Sequence, residues 1–158
     1  MAGGWHLAQV NVATLAAPLD SPQLASFVER LEPVNALAER SPGFVWRLQG
    51  ERGDATDLHA FDDLRIIVNL TVWESLEALR AYVFSGDHAD VLRRRHEWFE
   101  PMTEAHLAMW WIPAGTILTL QDAKAKLETL ERDGPSAEAF TFREPFPAPS
   151  ADEATAAV

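Results

Sequence analysis

Polar side chains interrupt segments that otherwise have the apolar pattern of buried strands. They are Gln9, Asn11, Arg47, Gln49, Asn69 and Thr71. Burying such a group without a hydrogen-bond partner costs about 1–3 kcal/mol, so each must find one. In one interpretation these side chains bond to one another or to water at the rim of a sheet. In the other they line a pocket, in which Arg47 and Asn11 orient an oxygenated substrate.

Two of the five histidines have a spacing that suits a shared role. His88 and His96 would lie on roughly the same face of a helix, where either could act as a general base or as an axial ligand to haem. The alternative for each is a structural or solvent-exposed role. Metal-binding pairs on helices are typically closer and need further ligands, so no metal site is predicted. His6, His59 and His106 are predicted to be structural or exposed.

Charge and composition exclude several classes of function. The chain has 158 residues with 13 basic and 24 acidic side chains, and its net charge of −11 repels nucleic acids and anionic membranes. The absence of cysteine excludes disulfides, thiolate metal sites and a cysteine nucleophile. Phosphate-binding glycine loops, G-x-S-x-G elbows and H-E-x-x-H zinc motifs do not occur. The run Arg93-Arg94-Arg95 lies near acidic residues and is interpreted as a solvated surface.

Length and termini predict one compact domain over residues 1–144, followed by a disordered tail over 145–158 that is rich in Pro, Ala and acidic residues. The chain has neither a basic leader nor an apolar run long enough to span a membrane. We therefore expect a cytoplasmic protein.

The periodicity of apolar residues predicts alternating strands and helices. A two-residue period predicts strands over 5–15, 44–50, 65–73 and 105–112, with Phe44, Trp46 and Leu48 on one face of the second. Capping signals and helical spacing predict helices over 21–40, interrupted or kinked at Pro33, from Ser75, over 87–101, and over 119–134. Residues 51–64 form a long loop and candidate lid, and 139–142 a short edge strand.

The order β-α-β-β-α-β, followed by an extra helix and a short strand, predicts an α+β fold of the ferredoxin-like type. In such a fold the helices cover one face of a four-stranded antiparallel sheet. Something else must hide the second face, and a homodimer is the simplest cover.

Two sets of motifs carry a resemblance to known families. The strand-to-helix junction VWESLEALRAY (72–82) with SGDH (85–88) resembles the dimeric α/β-barrel superfamily, which includes antibiotic-biosynthesis monooxygenases and haem-degrading monooxygenases. A closer resemblance, from Trp5 to about Pro149, is to a bacterial family known only as domain of unknown function 3291. Its segments here are HLAQVN (6–11), SPGFVWRL (41–48), VLRRRHEWF (91–99), WWIPAG (110–115) and AFTF (139–142).

The resemblance implies a homodimer whose two sheets form a barrel, with one small-molecule pocket per subunit between sheet and helices. Haem-degrading members use an Asn on the first strand, then a Trp and a His on the helix after the Trp-Glu-Ser junction. Asn11 matches that Asn, whereas Tyr82 stands at the Trp position and Leu92 at the His position. No cofactor is therefore predicted. Haem is kept as an alternative because His88 and His96 lie one turn either side of Leu92.

The chain has six tryptophans, a large number for a small domain. Most are expected in the core or at a dimer interface. The alternative is a flat, aromatic-lined cavity for a polycyclic ligand. The tryptophans in predicted elements are Trp46, Trp73, Trp98, Trp110 and Trp111.

These observations predict a monooxygenase-like or isomerase-like enzyme that binds an apolar or aromatic substrate in each subunit. His88 or His96 would be the base, and Asn11 and Arg47 would stabilise a developing oxyanion. The predicted substrate-binding residues are Gln9, Trp46, Asn69, Trp73, Tyr82 and Trp111. Two alternatives remain: a module that binds or senses a small molecule, haem included, and a structural dimer whose cleft is filled.

Overall fold

A computed structural model describes residues 4–50, 55–56 and 58–149. In chain order its elements are β1 (Trp5–Leu15), a first 3-10 turn (Pro22–Leu24), α1 (Ala25–Arg40), β2 (Phe44–Arg47), β3 (Ile66–Trp73), α2 (Leu76–Val83), α3 (Gly86–Arg93), a second 3-10 turn (Arg95–Glu97), β4 (Phe99–Glu100), β5 (Leu107–Pro113) and α4 (Leu120–Asp133).

The strands form one antiparallel sheet with β1 at its centre. β1 pairs with β3 along one edge and with β5 along the other, and β2 adds outside β3. β4 pairs only with the end of β1, at Thr14 and Leu15. The predicted α+β, ferredoxin-like fold is confirmed. Its most strongly β-forming segment, rich in Ile and Val, becomes β3 in the interior of the sheet.

The two faces of the sheet are covered by different helices. One face, which we call the α4 face, carries Ala8, Val10, Val12, Val68, Leu70 and Val72, all buried. Ala123, Leu127 and Leu130 of α4 pack on it, together with Leu58 and Phe61. The face that was expected to need a partner is thus covered by the chain itself. The homodimer stays a prediction, and an open sheet face no longer supports it.

The opposite face, which we call the cavity face, is apolar at both ends and polar in the middle. At one end Leu7 and Trp73 pack with Leu79 of α2. At the other end Leu15 and Ile67 form a second buried cluster with neighbouring apolar groups. The register places Gln9 opposite Thr71 and Asn11 opposite Asn69 between these ends. Apolar packing therefore holds the helices at two points, with a polar stretch of strand between them.

Local sequence signals account for several helix ends. Ser75 accepts a hydrogen bond from the Ala78 amide at 3.1 Å and caps α2. Thr119 and Asp122 form the predicted capping box at the start of α4. α1 runs through Pro33 as one helix, so the alternative of a restart there is wrong.

A β-bulge changes which side chains of β2 share a face. Phe44 pairs with Trp73, Trp46 pairs with Val72, and the register shifts between Phe44 and Trp46. Phe44 consequently packs edge-on against Trp73 on the cavity face, with ring centroids 5.5 Å apart. Trp46 and Leu48 pack in the cluster under α4. The prediction that Phe44, Trp46 and Leu48 share a face is wrong, because the bulge inserts one residue into the alternation.

The helix predicted over 87–101 is shorter than expected. α3 begins at Gly86 with Ser85 as its N-cap residue, so Asp87 is not the cap, and the helix ends at Arg93. Trp98 is fully buried and donates its indole N–H to Ser26 Oγ at 3.0 Å. Anchoring this indole turns the chain back toward β1, where Phe99 pairs with Leu15.

The C-terminal segment packs at the edge of β5. The short strand predicted over 139–142 is a single bridge, in which Phe140 and Met109 exchange backbone hydrogen bonds of 2.8 and 2.9 Å. Phe146 lies against Phe140, and its carbonyl accepts the indole N–H of Trp111 at 2.8 Å. The predicted tail therefore includes at least one packed residue. Residues 150–158 and part of the predicted loop, 51–54 and 57, lie outside the described residues.

Candidate functional site

A cavity of about 810 Å³ lies between the cavity face of the sheet and helices α1 and α3, and its lining also includes Leu48, Ala55 and Met102 from the cluster on the α4 face. This volume is within the range of small-molecule sites. Its floor includes Asn11, Ala13, Arg47, Ile67 and Asn69. Its walls include Phe27, Leu31, Val34, Tyr82, His88, Val91, Leu92, Arg95, His96 and Phe99. Apolar walls over a polar floor suit an apolar molecule that carries a few polar groups.

A hydrogen-bond network beside the cavity floor, on the same face of the sheet, orients the Asn69 side chain. Gln9 Nε2 donates to Asn69 Oδ1 at 3.1 Å and to Thr71 Oγ1 at 2.8 Å. Thr71 Oγ1 also accepts the indole N–H of Trp73 at 2.9 Å. Gln9 and Trp73 thus lie behind the cavity wall and do not line it. Asn69 is exposed although it lies in the middle of β3, because its side chain faces the cavity.

The side-chain oxygen of Asn11 is an acceptor to which no described residue donates a hydrogen bond. Its Oδ1 atom is buried and has no hydrogen-bond partner within the part of the chain that the structure describes. A buried acceptor in this state costs about 1–3 kcal/mol. Since Asn11 lines the cavity, a ligand hydroxyl or N–H group could supply the missing donor.

Tyr82 forms a fixed, uncharged wall. Burial raises the pKa of its phenol, and the nearby Arg47 guanidinium lowers it by less. The hydroxyl donates to the Val34 carbonyl at 3.2 Å. The ring stacks on Trp73, with centroids 5.1 Å apart, and contacts the His88 ring at 4.8 Å. Tyr82 therefore has no free hydroxyl proton for chemistry and acts by packing against His88.

Arg47 brings positive charge to the floor. Its side chain is 11% exposed, and its Nη2 atom lies 3.5 Å from Glu39 Oε1. The partner carboxylate is about half exposed, so solvent screens part of the pairing. Since Arg47 lines the cavity, its charge can also act on a bound ligand.

His88 has the geometry of a general base. Its Nδ1 atom lies 3.0 Å from the Val83 carbonyl oxygen, which can only accept a hydrogen bond. The Nδ1 atom therefore carries the proton, and Nε2 is left as the basic nitrogen of the neutral ring. Burial lowers the pKa of His88, and the bond to Val83 opposes this shift by less. The neutral, basic form is thus favoured at neutral pH.

Two further histidines reach the same cavity. His96 lies on the second 3-10 turn and is exposed, so it shares the cavity with His88 although not a helix. His106, predicted to be structural or exposed, also lines the cavity and is exposed. No local pattern around His106 indicated this, because β5 brings it beside Asn11 through long-range pairing.

The structure places the other predicted binding residues outside the cavity. Trp46 packs on the α4 face, and Trp111 is held by Phe146 at the edge of β5. Three residues that were not predicted as site residues also line the cavity, from α1 and the second 3-10 turn: Arg30, Asn35 and Arg95. Their positions on helices carried no signal that distinguished them from solvated surface residues.

The cavity lacks two of the side chains that the haem-degrading members of the superfamily use. Leu92 lines the cavity, and its aliphatic side chain cannot ligate iron. Tyr82 occupies the Trp position with its hydroxyl already bonded to Val34. The residues do not fit that reaction. Among the described residues, no group of three or more His, Asp or Glu side chains could hold a metal ion. The helices over the same residues include none with the length and hydropathy of a membrane span.

A family profile decides the relationship of the chain to known proteins. The profile of "Domain of unknown function (DUF3291)" matches residues 6–156. The chain belongs to this family. The family identified from the sequence motifs is thereby confirmed. No curated protein sequence matches the chain.

Several solved structures are similar to the chain at low sequence identity. SnoaB, a cofactor-independent oxygenase from Streptomyces nogalater, is 18% identical over 72% of this chain and 96% of its own, with a TM-score of 0.47. PA3566 from Pseudomonas aeruginosa is 12% identical over 70% and 95%, with a TM-score of 0.46. A haem-degrading protein from Mycobacterium tuberculosis is 16% identical over 73% and 98%, with a TM-score of 0.38. Similarity at this level specifies no reaction for this chain.

Proposed function

We propose that this DUF3291 protein binds an apolar or aromatic molecule in the cavity and removes an acidic C–H or O–H proton from it with His88. The observation that carries the proposal is the geometry of His88. The ring is neutral and largely buried, its Nδ1–H is donated to the Val83 carbonyl, and Nε2 remains as the base at the cavity wall. Tyr82 packs against the ring and limits its rotation.

In the proposed reaction the substrate proton moves to His88 Nε2 and forms an imidazolium. The Val83 carbonyl stabilises that cation through the retained Nδ1–H bond. The negative charge left on the substrate oxygen is stabilised by Arg47 and by the carboxamide of Asn11 on the floor. The apolar part of the lining lowers the local dielectric constant and strengthens these interactions.

The resulting anion has two outcomes within the proposal. In an isomerisation, His88 returns the proton to a different carbon atom. In an oxidation, molecular oxygen is the co-reactant: a substrate CH2 group and O2 give a carbonyl group and water, so one oxygen atom enters the product. Assembly as a homodimer is also part of the proposal. It is supported by the family resemblance and is tested by the mass of the protein in solution.

The test is a screen of phenols, hydroquinones and 1,3-dicarbonyl compounds. Oxygen consumption reports oxidation, and deuterium uptake from D2O at a carbon atom, followed by NMR and corrected for the uncatalysed exchange, reports abstraction of a C–H proton alone. His88→Gln should remove both activities at least about 100-fold, the usual contribution of a general base, while binding persists. His59→Gln is the matched control, because His59 is exposed and does not line the cavity. Equal activity of the His88→Gln and wild-type proteins would contradict the proposal.

A second candidate function is a non-catalytic binding module. It is favoured by the Asn11 Oδ1 atom, which has no hydrogen-bond partner among the described residues and could accept a hydrogen bond from a ligand without any reaction. Binding of panel compounds without oxygen consumption or deuterium uptake would establish it. Titration with haemin tests the haem form of this alternative. A saturable Soret shift that His88→Ala or His96→Ala removes would support it, and a spectrum of free haemin would exclude it.

A further inference from the structure

The cavity is basic although the chain as a whole is strongly acidic. The net charge of the chain is −11. The charged and titratable groups that line the cavity are Arg30, Arg47, Arg95, His88, His96, His106 and Glu100. Glu100 is the acidic member of this set, and its Oε2 atom lies 3.4 Å from Nη1 of Arg65, an exposed arginine that also pairs with Asp63. The cavity lining thus carries more basic than acidic side chains, although the net charge of the chain is negative.

The arginines of this set differ in their acidic partners. The Nε atom of Arg30 lies 3.4 Å from Oδ2 of Asp90, and Nη2 of Arg47 lies 3.5 Å from Oε1 of Glu39. Arg95 has no acidic oxygen within 4.0 Å among the described residues. Arg95 is therefore the cation of the cavity whose charge the described chain leaves uncompensated.

The Arg95 side chain is exposed, and one hydrogen bond ties its guanidinium to the backbone. Its Nη1 atom donates to the Leu92 carbonyl at 2.7 Å, and both residues line the cavity. A guanidinium carries five N–H donors, so several remain for a ligand. Arg95 and His96 are neighbours on the second 3-10 turn, which closes one end of the cavity.

We propose that the ligand of this cavity is an anion: an apolar or aromatic body with a carboxylate group that binds at Arg95. The apolar part of the lining packs against the body, and Asn11 Oδ1 accepts a hydrogen bond from it. The Arg95 guanidinium donates hydrogen bonds to the carboxylate. This inference deepens the proposed function and rests on its premise that the cavity is a ligand site.

The experiment uses an uncharged fluorescent probe, N-phenyl-1-naphthylamine, and three competitors with the same ring system. The competitors are 1-naphthoate, 1-naphthyl phosphate and 1-naphthalenemethanol, which differ in the charged group. Wild-type protein should release the probe at a concentration of 1-naphthoate about fivefold to tenfold lower than that of the alcohol. Arg95→Glu should abolish this preference. Arg143→Glu, the same charge change at an exposed position outside the cavity, should preserve it.

Leu92→Trp places an indole in the cavity and should weaken binding of the probe. If the probe does not bind, or binds Leu92→Trp equally well, the cavity is not a ligand site, and both the proposed function and this inference fail. If the probe binds in the cavity but the alcohol competes as well as 1-naphthoate, only this inference fails. The same holds if Arg143→Glu acts like Arg95→Glu. Tighter competition by 1-naphthyl phosphate than by 1-naphthoate would overturn the carboxylate assignment and assign a phosphate ester.

Discussion

Replacing Asn11 by Leu should stabilise the protein while weakening its cavity as a binding site. The Oδ1 atom of Asn11 is buried without a hydrogen-bond partner among the described residues. Leu has the same number and branching of side-chain heavy atoms and no polar atom, so the substitution removes the cost of burying that acceptor. It also removes the donor and acceptor that a ligand would use. Stability and binding should therefore change in opposite directions, as is common for residues kept for function.

The magnitude follows from the burial of that one atom. An unsatisfied buried acceptor costs about 1–3 kcal/mol, and some of this is recovered by cavity water, so we expect a gain of about 1 kcal/mol. For a domain of this size that corresponds to a rise in Tm of about 2–4 °C.

Asn69→Leu is the matched control. Asn69 pairs with Asn11 across β1 and β3, so the change in strand propensity is similar at both positions. The side chain of Asn69 is exposed, and its Oδ1 atom accepts a bond from Gln9. Its replacement should give no gain and removes one hydrogen bond.

Urea denaturation and thermal melting of the three proteins supply the comparison, and affinity for N-phenyl-1-naphthylamine supplies the binding readout. The reasoning is refuted if Asn11→Leu is less stable than wild type, or if Asn69→Leu gains as much. It is also refuted if competition by ligands with a hydroxyl group is unchanged in Asn11→Leu.

Three other substitutions test the pH dependence and the local structure. Burial lowers the pKa of His88 below its ordinary 6.5, so the unfolded chain binds a proton at this residue more readily than the folded chain does. His88 therefore does not reduce the free energy of unfolding above pH 6.5, and it reduces that free energy as the pH drops below 6.5. His88→Gln should reduce that loss, measured by urea midpoints at about pH 7.5 and about pH 5.5, and an unchanged loss would contradict the shift. Thr119→Ala should cost about 1 kcal/mol through the lost capping box, whereas Thr129→Ala on the same helix should cost much less; equal urea midpoints for the two variants would contradict this. Gly43→Ala should cost about 1–3 kcal/mol, because Gly43 has a φ of 84° and a new Cβ would lie 2.5 Å from Ala78 Cβ; adding Ala78→Gly should recover only the steric part, and full recovery would show that φ adds no strain.

Local signals were enough to predict the main elements of the fold. The two-residue period identified β1 over Trp5–Leu15 with its observed bounds, and the Thr119 and Asp122 pair marked the start of α4. Such signals depend on residues that are near in sequence, so they can be read without the tertiary structure.

Features that depend on long-range packing were not predictable. The bulge in β2 separates Phe44 from Trp46, and only its pairing with β3 fixes it. The early end of α3 follows from burial of Trp98 against Ser26, which is remote in sequence. The covering of the second sheet face by α4 also depends on tertiary contacts.

The candidate site shows the same division. Asn11, Arg47 and Asn69 were predictable because a polar side chain in an otherwise apolar strand needs a hydrogen-bond partner or contact with solvent. His88 and His96 do reach one cavity, but the second 3-10 turn positions His96 in place of the predicted helix. Arg95 was interpreted as a solvated surface residue, because the sequence alone did not show which arginine of the run lacks an acidic partner.

The central claim is that a small molecule binds between the sheet and helices α1 and α3. A crystal structure of the protein grown with 1-naphthoate tests it most directly. The account predicts the naphthalene ring over Asn11 and beside His88, inside the cavity. A ring bound elsewhere on the protein, or a cavity filled by side chains of α1 and α3, would contradict it.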